Sequence, residues 1–360
     1  MNYPRQYQQL KSEFNSVFEE IMSSGDFILR RHLEEFEKRI AKYVGTKYAI
    51  GVNTGTDALY LSAHALEFGP GNEIITVAHT FAATVGAIVQ CGATPVLVDI
   101  TDDFNIDVEQ IEAAITPKTK GIIPVHLNGH ACNMDWIMDI AKRYHLKVIE
   151  DSAQALGAQF KEKRCSSFGD MGIFSFYPAK VLGTVGDGGM VCTNNENLAR
   201  RIRAFRDNGR VDSTEKIECF GWCTRLDNLH AAILNMKFNY FDQWIKRRRT
   251  IAKMYDEGLS DIPGLISHPI SNSDYFDVYQ NYVIRSKQRD QLVTHLRNHG
   301  IEVLISWSVP LHKQKALGLS HFNLPMTERI SAEVISLPMY PELTDEEVQC
   351  VIETIKNIFA

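Results

Sequence analysis

Residues 167–189 read S-F-G-D-M-G-I-F-S-F-Y-P-A-K-V-L-G-T-V-G-D-G-G. One lysine, Lys180, stands in this stretch, with aromatic and apolar residues before it and Gly183, Gly186, Gly188 and Gly189 after it. Glycines at that density allow close backbone approach and positive φ angles, which cost stability in an ordinary core. Ser175, five residues before Lys180 at the end of an expected strand, can add a hydroxyl to a phosphate. Taken alone, the stretch also fits an exposed lysine in a flexible loop.

Two other stretches give that lysine company. Val148–Asp151 reads V-I-E-D, an apolar strand that delivers a carboxylate to the carboxyl edge of a sheet. In open α/β sheets that edge is where ligands bind. A buried Asp151 needs a cationic or hydrogen-bonding partner; a helix N-cap before 152–155 is the plainer use of it. Asn53-Thr54-Gly55-Thr56-Asp57 falls between a strand and a helix. Backbone N–H groups, a hydroxyl and the positive helix end meet there, which suits a phosphate. An ordinary capped helix, with Thr56 or Asp57 as its cap, fits equally. Together the three point to an amine that forms a Schiff base, most often with pyridoxal phosphate (PLP).

The frame around them is α/β. Candidate strands are 48–52, 73–77, 94–98, 121–125, 147–150, 173–175 and 190–193, several apolar throughout, as strands buried on both faces should be. Helices are expected at 56–66, 82–91, 108–114 and 134–144, so the sheet is mostly parallel and seven-stranded. Residues 1–43 form an amphipathic helical arm, with Phe14, Val17, Phe18 and Ile21, then Leu33, Phe36, Ile40 and Tyr43 at helical spacing. The arm packs on the molecule itself or on a partner. Helices at 197–207 and 225–259, a strand at 278–284, a helix at 288–299, a strand at 302–304 and a helix at 345–359 make a smaller α+β domain. The division is 1–240, a large cofactor-binding domain with its arm, and 241–360, a small C-terminal domain.

Composition excludes other classes. The chain has 360 residues, 44% hydrophobic and 23% charged, with a formal charge of -6. No basic field for nucleic acid is present, and the run Lys246–Arg249 reads as a solvated helix face. No apolar leader opens the chain. Ile74–Val98 carries no Asp, Glu, Lys or Arg, yet its glycines, proline and threonines read as strand, helix and strand rather than a membrane span. Seven scattered cysteines suggest reduced thiols in the cytoplasm. Cys219, Cys223 and His230 lack a fourth ligand and tight pairing, so no metal site is expected.

The motifs resemble the DegT-type (DegT/DnrJ/StrS) nucleotide-sugar aminotransferases, PLP enzymes of fold type I. They are N-T-G-T-D-A-L (53–59), P-V-H-L-N-G (124–129), E-D-S-A-Q-A-L-G-A (150–158), S-F-Y-P-A-K-V-L-G-T-V-G-D-G-G (175–189), R-L-D-N-L-H-A-A-I-L (225–234) and L-P-M-T-E-R (324–329). The likeness runs from about Gly25 to the C-terminus. It implies that Lys180 is the Schiff-base lysine and Asp151 the partner of the pyridine nitrogen. Gly55, Thr56 and Ser175 match phosphate contacts. Gln154 matches a residue beside the ring, and Phe81 (or else His79) one that stacks on it. Trp307 and His312, in S-W-S-V-P-L-H, and Arg225 are implied on the sugar side, although Trp307 and His312 also read as core. Members are cytoplasmic homodimers with shared active sites. They move an amino group from glutamate, which leaves as 2-oxoglutarate, to a nucleotide-linked keto sugar, the cofactor passing through its pyridoxamine form (PMP).

Two departures stand out. Such enzymes usually carry G-[FY]-N-x-R before L-D, the Asn reaching the neighbouring subunit's phosphate. Here Gly221-Trp222-Cys223-Thr224-Arg225 puts a thiol there, a poor stand-in for an amide, with Asn228 or Thr224 as substitutes. Arg30-Arg31-His32 replaces a Gly-Pro turn, as cations for a nucleotide diphosphate or as surface. The G-D-G-G form after Lys180, with Asp151 and Gln154, resembles members that aminate C3 of a 3-keto dTDP- or UDP-sugar in surface-polysaccharide pathways such as O-antigen and lipopolysaccharide. A C4 aminotransferase on a 4-keto-6-deoxy sugar is the alternative, and a non-catalytic nucleotide-sugar binding module the reading from another class. Sugar dehydratases on this fold lack the lysine, and no G-x-G-x-x-G supports a dehydrogenase.

Overall fold

The computed structural model describes residues 2–211, 216–268 and 272–359. In chain order the strands are β1 (Tyr48–Val52), β2 (Glu73–Val77), β3 (Thr94–Val98), β4 (Thr119–Ile122), β5 (Lys147–Asp151), the short β6 (Gln159–Phe160) and β7 (Lys163–Arg164), β8 (Met171–Ser175), β9 (Gly189–Thr193), β10 (Leu265–Ile266), β11 (Tyr275–Phe276), β12 (Tyr282–Ser286) and β13 (Val334–Leu337). The central sheet has seven strands in the order β1-β9-β8-β5-β4-β2-β3. Only β9 runs against its neighbours. The mostly parallel α/β reading therefore describes the molecule.

Side chains alternate across the sheet, as strand geometry requires. Ala49, Val148 and Phe174 enter one core with helices 31–44, 134–143 and 228–237. Ile50, Ile149 and Ile173 enter the other with helices 55–65, 82–90 and 196–206. Register places the functional strand ends side by side: Val52 pairs with Gly189, Gly189 with Ser175, and Asp151 with Ile173. The carboxyl ends of β1, β8 and β5 thus share one edge.

The helical arm packs on the chain itself. Phe36 is fully buried and meets Phe176 edge-on at 5.1 Å, tying helix 31–44 to the segment that leads to Lys180. Helix 11–24 buries Ile21 yet leaves Phe18 and Met22 exposed.

The smaller unit has its own sheet, β10-β12-β13, covered by helices 241–259, 289–298 and 345–359. The expected helix 225–259 is three pieces, Asn228–Lys237, a 3-10 turn Phe238–Tyr240 and Phe241–Leu259. Phe241, Trp244 and Ile245 belong to the large core, while Ile251, Ala252, Tyr255 and Leu259 belong to the small one. The seam between the two cores therefore crosses the last helix. The expected strand 302–304 is a single bridge, Leu304 to Ser336.

The run Lys246–Arg249 is not a solvated face. Arg248 is fully buried, Arg247 binds Asp345 and the Leu343 carbonyl, and Arg249 stacks on Phe276 while donating to the Asp277 carbonyl. Packing of the two units against this helix overrides its polar composition.

Candidate active site

Asp151 closes β5 and is 4% exposed. Its Oδ2 accepts from Thr84 Oγ1 at 2.8 Å and its Oδ1 from the Ala153 N–H at 3.2 Å. No ion pair reaches it among the described residues. Burial pushes its carboxyl above the usual range, and the Thr84 bond, the Ala153 N–H and the charge of Lys180 pull the other way. Such a carboxylate lacks its counter-charge. A protonated pyridine nitrogen supplies one, so the residues fit the cofactor.

Lys180 lies in the turn after β8, its N–H donating to the Tyr177 carbonyl at 2.9 Å. Its side chain is half-buried. Burial lowers its pKa, with the Asp151 charge opposing. A lysine so placed is closer to a free amine, the form that attacks a carbonyl and relays protons.

A second corner of the site is built by contact. Helix 55–65 is capped by Thr54, whose Oγ1 accepts from the Asp57 N–H at 2.8 Å. Neither Thr56 nor Asp57 is the cap, because the chain turns helical one residue earlier than expected. Gly55 lies against Ser175: a Cβ on Gly55 would fall 2.8 Å from the Ser175 Cβ. The Gly55 and Thr56 N–H groups have no acceptor among the described residues. Two free donors at a helix start beside a serine hydroxyl suit a phosphate.

The remaining residues sort themselves by what already holds them. Phe81 is 64% exposed, its ring free at the start of helix 82–90. His79 is buried, bonded through Nδ1 to Ser331 Oγ and met edge-on by Trp307 at 5.4 Å. Of the two, only Phe81 offers an open face. Gln154 Oε1 accepts from the Asn128 N–H at 2.8 Å. His312 is fully buried, its Nε2 3.2 Å from Glu328 Oε1 and its Nδ1 without a partner. Arg225 bonds Asp207 at 3.0 Å and faces a separate cleft of about 890 Å³ with Arg206 and Arg210, which neither Lys180 nor Asp151 lines.

Around Cys223 the substitutes divide. Asn228 is spent: its Oδ1 accepts from the Leu33 N–H and its Nδ2 donates to the Asp26 carbonyl, holding the arm. Thr224 Oγ1 is buried without a partner. Arg31 and His32 are paired to Glu20, and Arg30 lies 3.4 Å from Asp26. That describes a surface ion network.

Sequence reasoning missed Gln280. It enters from the turn before β12 and touches the backbone on both sides of Lys180. No motif marks it, and only the fold brings it there.

Comparisons with known proteins identify the family. A family model described as the DegT/DnrJ/EryC1/StrS aminotransferase family matches residues 8–356. The chain is 42% identical to a "Pleiotropic regulatory protein" of Geobacillus stearothermophilus, over 100% of this chain and 99% of the relative. It is 41% identical to the dTDP-3-amino-3,6-dideoxy-alpha-D-galactopyranose transaminase of Aneurinibacillus thermoaerophilus, over 96% and 95%. Among solved structures, ntda from Bacillus subtilis with bound cofactor PMP superposes with a TM-score of 0.91 at 31% identity, covering 98% of this chain and 82% of that one.

Proposed function

This chain belongs to the DegT/DnrJ/EryC1/StrS aminotransferase family; it is a PLP-dependent transaminase of nucleotide sugars, and we propose that it carries an amino group from glutamate to the C3 keto group of a dTDP- or UDP-linked sugar. The observation that carries the reading is the pairing of Lys180, an amine of lowered pKa, with Asp151, a buried carboxylate lacking a cation in contact. The position of the amino group rests on the 41% identical relative, whose name places it at C3.

When bound, the cofactor would supply the carbon–nitrogen chemistry of the amino transfer. The protein's part is electrostatics and position. Asp151 holds a cationic ring nitrogen, and Thr84 and the Ala153 N–H keep the carboxylate oriented. Gly55, Thr56 and Ser175 would hold the phosphate. Lys180 Nζ, once free, holds and moves a proton at the reacting carbon. Phe81 would offer its open ring as a stacking face for the cofactor, and Gln154 would stand beside it. Trp307 and His312 belong to the sugar side, His312 through its unpaired Nδ1. Arg225 is assigned to the nucleotide side on the family resemblance alone, since in this chain it lines a cleft apart from Lys180 and Asp151.

A homodimer with shared sites is part of the proposal. Tyr177 and Val185, on the lysine loop, and Phe220, beside the Cys223 segment, are exposed apolar side chains that a second copy would cover. We place the enzyme in the cytoplasm, in the synthesis of surface glycans; its free cysteines favour a reducing compartment. No helix among the described residues is long and apolar enough to cross a membrane.

The test is product analysis with dTDP- and UDP-linked 3-keto and 4-keto sugars, glutamate as donor. Amination of the 3-keto sugars with formation of 2-oxoglutarate is expected. Conversion of 4-keto sugars alone contradicts the assignment to C3.

A further inference from the structure

We infer that Gln280, held in place by the buried Arg248, is a positioning residue that sets the backbone of Lys180. This rests on the reading of Lys180 as the reactive amine and goes beyond it.

The Gln280 side chain is buried. Its Oε1 accepts from the Val181 N–H at 2.8 Å, and its Nε2 donates to the Ala179 carbonyl at 2.8 Å. The orientation of the amide is unambiguous, since a backbone N–H only donates and a carbonyl only accepts. Ala179 O belongs to the peptide before the Lys180 Cα, and Val181 N to the peptide after it. One side chain therefore holds both planes that flank that Cα. Fixing both planes fixes φ and ψ of Lys180, and with them the direction in which its side chain leaves the backbone. The Lys180 N–H bond to Tyr177 closes the turn.

Gln280 is itself held. Arg248 Nη1 reaches the carbonyls of Tyr279 at 2.9 Å, Gln280 at 3.4 Å and Met339 at 3.1 Å. Its Nε and Nη2 have no partner. Burying a guanidinium this way is costly, and this one grips the turn that carries Gln280. Tyr279 takes a left-handed φ of 50°, a strained conformation for a tyrosine.

The same turn is pressed onto the large unit. Val278 N–H donates to the Gly129 carbonyl at 3.1 Å, and Asn281 Nδ2 to Asn128 Oδ1 at 3.0 Å. A Cβ on Gly129 would lie 2.9 Å from the Tyr279 and Gln280 nitrogens, so the approach needs glycine there. Asn128 in turn donates to Gln154. Seating of the small unit thus bears on Lys180 through Gln280, and on Gln154 through Asn281 and Asn128.

Two substitutions test this. Gln280→Met keeps the side-chain length and removes both hydrogen bonds. Gln280→Glu keeps both while neutral, accepting from Val181 through its carbonyl oxygen and donating to Ala179 through its O–H. Once ionised it still accepts from Val181 but has no proton for the Ala179 carbonyl, which it then faces as one acceptor against another. Two quantities are read: the pH dependence of Lys180 labelling by an amine-reactive reagent in cofactor-stripped protein, followed by peptide mass, and kcat and KM of the loaded enzyme.

For Gln280→Met the labelling midpoint of Lys180 shifts and kcat falls about tenfold, with keto-sugar KM within about twofold. For Gln280→Glu the kcat ratio to the parent stays near one at acid pH and falls as the carboxyl ionises. Because the Lys180 midpoint can itself move, each kcat profile is first divided by the Lys180 labelling profile of the same protein, and the ratio is taken between the corrected profiles. A labelling midpoint unchanged in Gln280→Met, or a Gln280→Glu ratio constant with pH, overturns the inference. Should Gln280→Met fail to fold, the Gln280→Glu ratio alone decides. Lys180→Ala serves as control: turnover surviving in it refutes the role of Lys180, whereas loss there with unaltered Gln280 variants refutes only the positioning.

Discussion

Thr84 Oγ1 donates to Asp151 Oδ2 at 2.8 Å, which leaves it unable to donate its proton to Thr80. Thr80 Oγ1, 2.9 Å away, must then be the donor to Thr84. A relay of two hydroxyls ends on the carboxylate. Thr84→Val keeps the shape and cuts the relay, so it should cost about 1–2 kcal/mol of stability in the loaded protein. Thermal melting and cofactor dissociation, measured together, check it. Both are expected to worsen, and an unchanged cofactor off-rate would remove Thr84 from the site.

Phe81 should behave in the opposite way. Its ring is largely exposed, so Phe81→Ala has little effect on the melting temperature of cofactor-free protein. Loss of a stacking face worth about 0.5–1.5 kcal/mol weakens cofactor retention by roughly 2- to 13-fold. Equilibrium dialysis against PLP reads the second effect, and a melt without cofactor reads the first.

Gly55→Ala places a methyl where the Ser175 side chain stands. Helix 55–65 has to move off β8, and the phosphate corner opens. Expected is a loss of cofactor affinity larger than for Phe81→Ala, together with a lower melting temperature. Adding Ser175→Gly to Gly55→Ala should restore part of the stability and little of the affinity, because the hydroxyl is then gone. Melting and PLP titration of the pair settle it.

Three histidines give the stability a pH optimum. Burial depresses His79 and His268 to about 4, below their unfolded value. The unfolded chain then takes up protons that the native one refuses, so stability present above about pH 6.5 is lost as pH falls toward 4. His130 is the reverse. Burial alone would lower it, but Asp103 and Asp277 hold it up at about 9. Its contribution is complete below about pH 6.5 and is lost as pH rises through 9. Melting temperature plotted against pH should therefore peak near 6.5, and His130→Gln should flatten the alkaline side alone.

What was legible in the sequence follows the range of the forces. Strands 48–52, 73–77 and 94–98 announce themselves by apolar runs, and the structure gives those bounds. Asp151, Ser175 and Gly55 were visible because each ends or follows a strand of one sheet, so local pattern predicts shared position. Gln280, Arg248 and Asn128 were not. Their roles depend on how the small unit is seated, a contact between segments far apart in the chain. Arg248 shows the cost of local reading: three arginines in a row look solvated until packing buries one. Asn228 shows the same for the cofactor corner, since only the tertiary contact with Leu33 and Asp26 reveals that its amide is taken.

The central claim is that Lys180 is the residue through which this transaminase holds its cofactor. Borohydride reduction of the PLP-loaded protein, followed by peptide mass mapping, tests it most directly. The account predicts one modified peptide, containing Lys180, and no covalent cofactor in Lys180→Ala. Cofactor fixed to a different lysine, or a Lys180→Ala protein that still turns over near the parent rate, would contradict it.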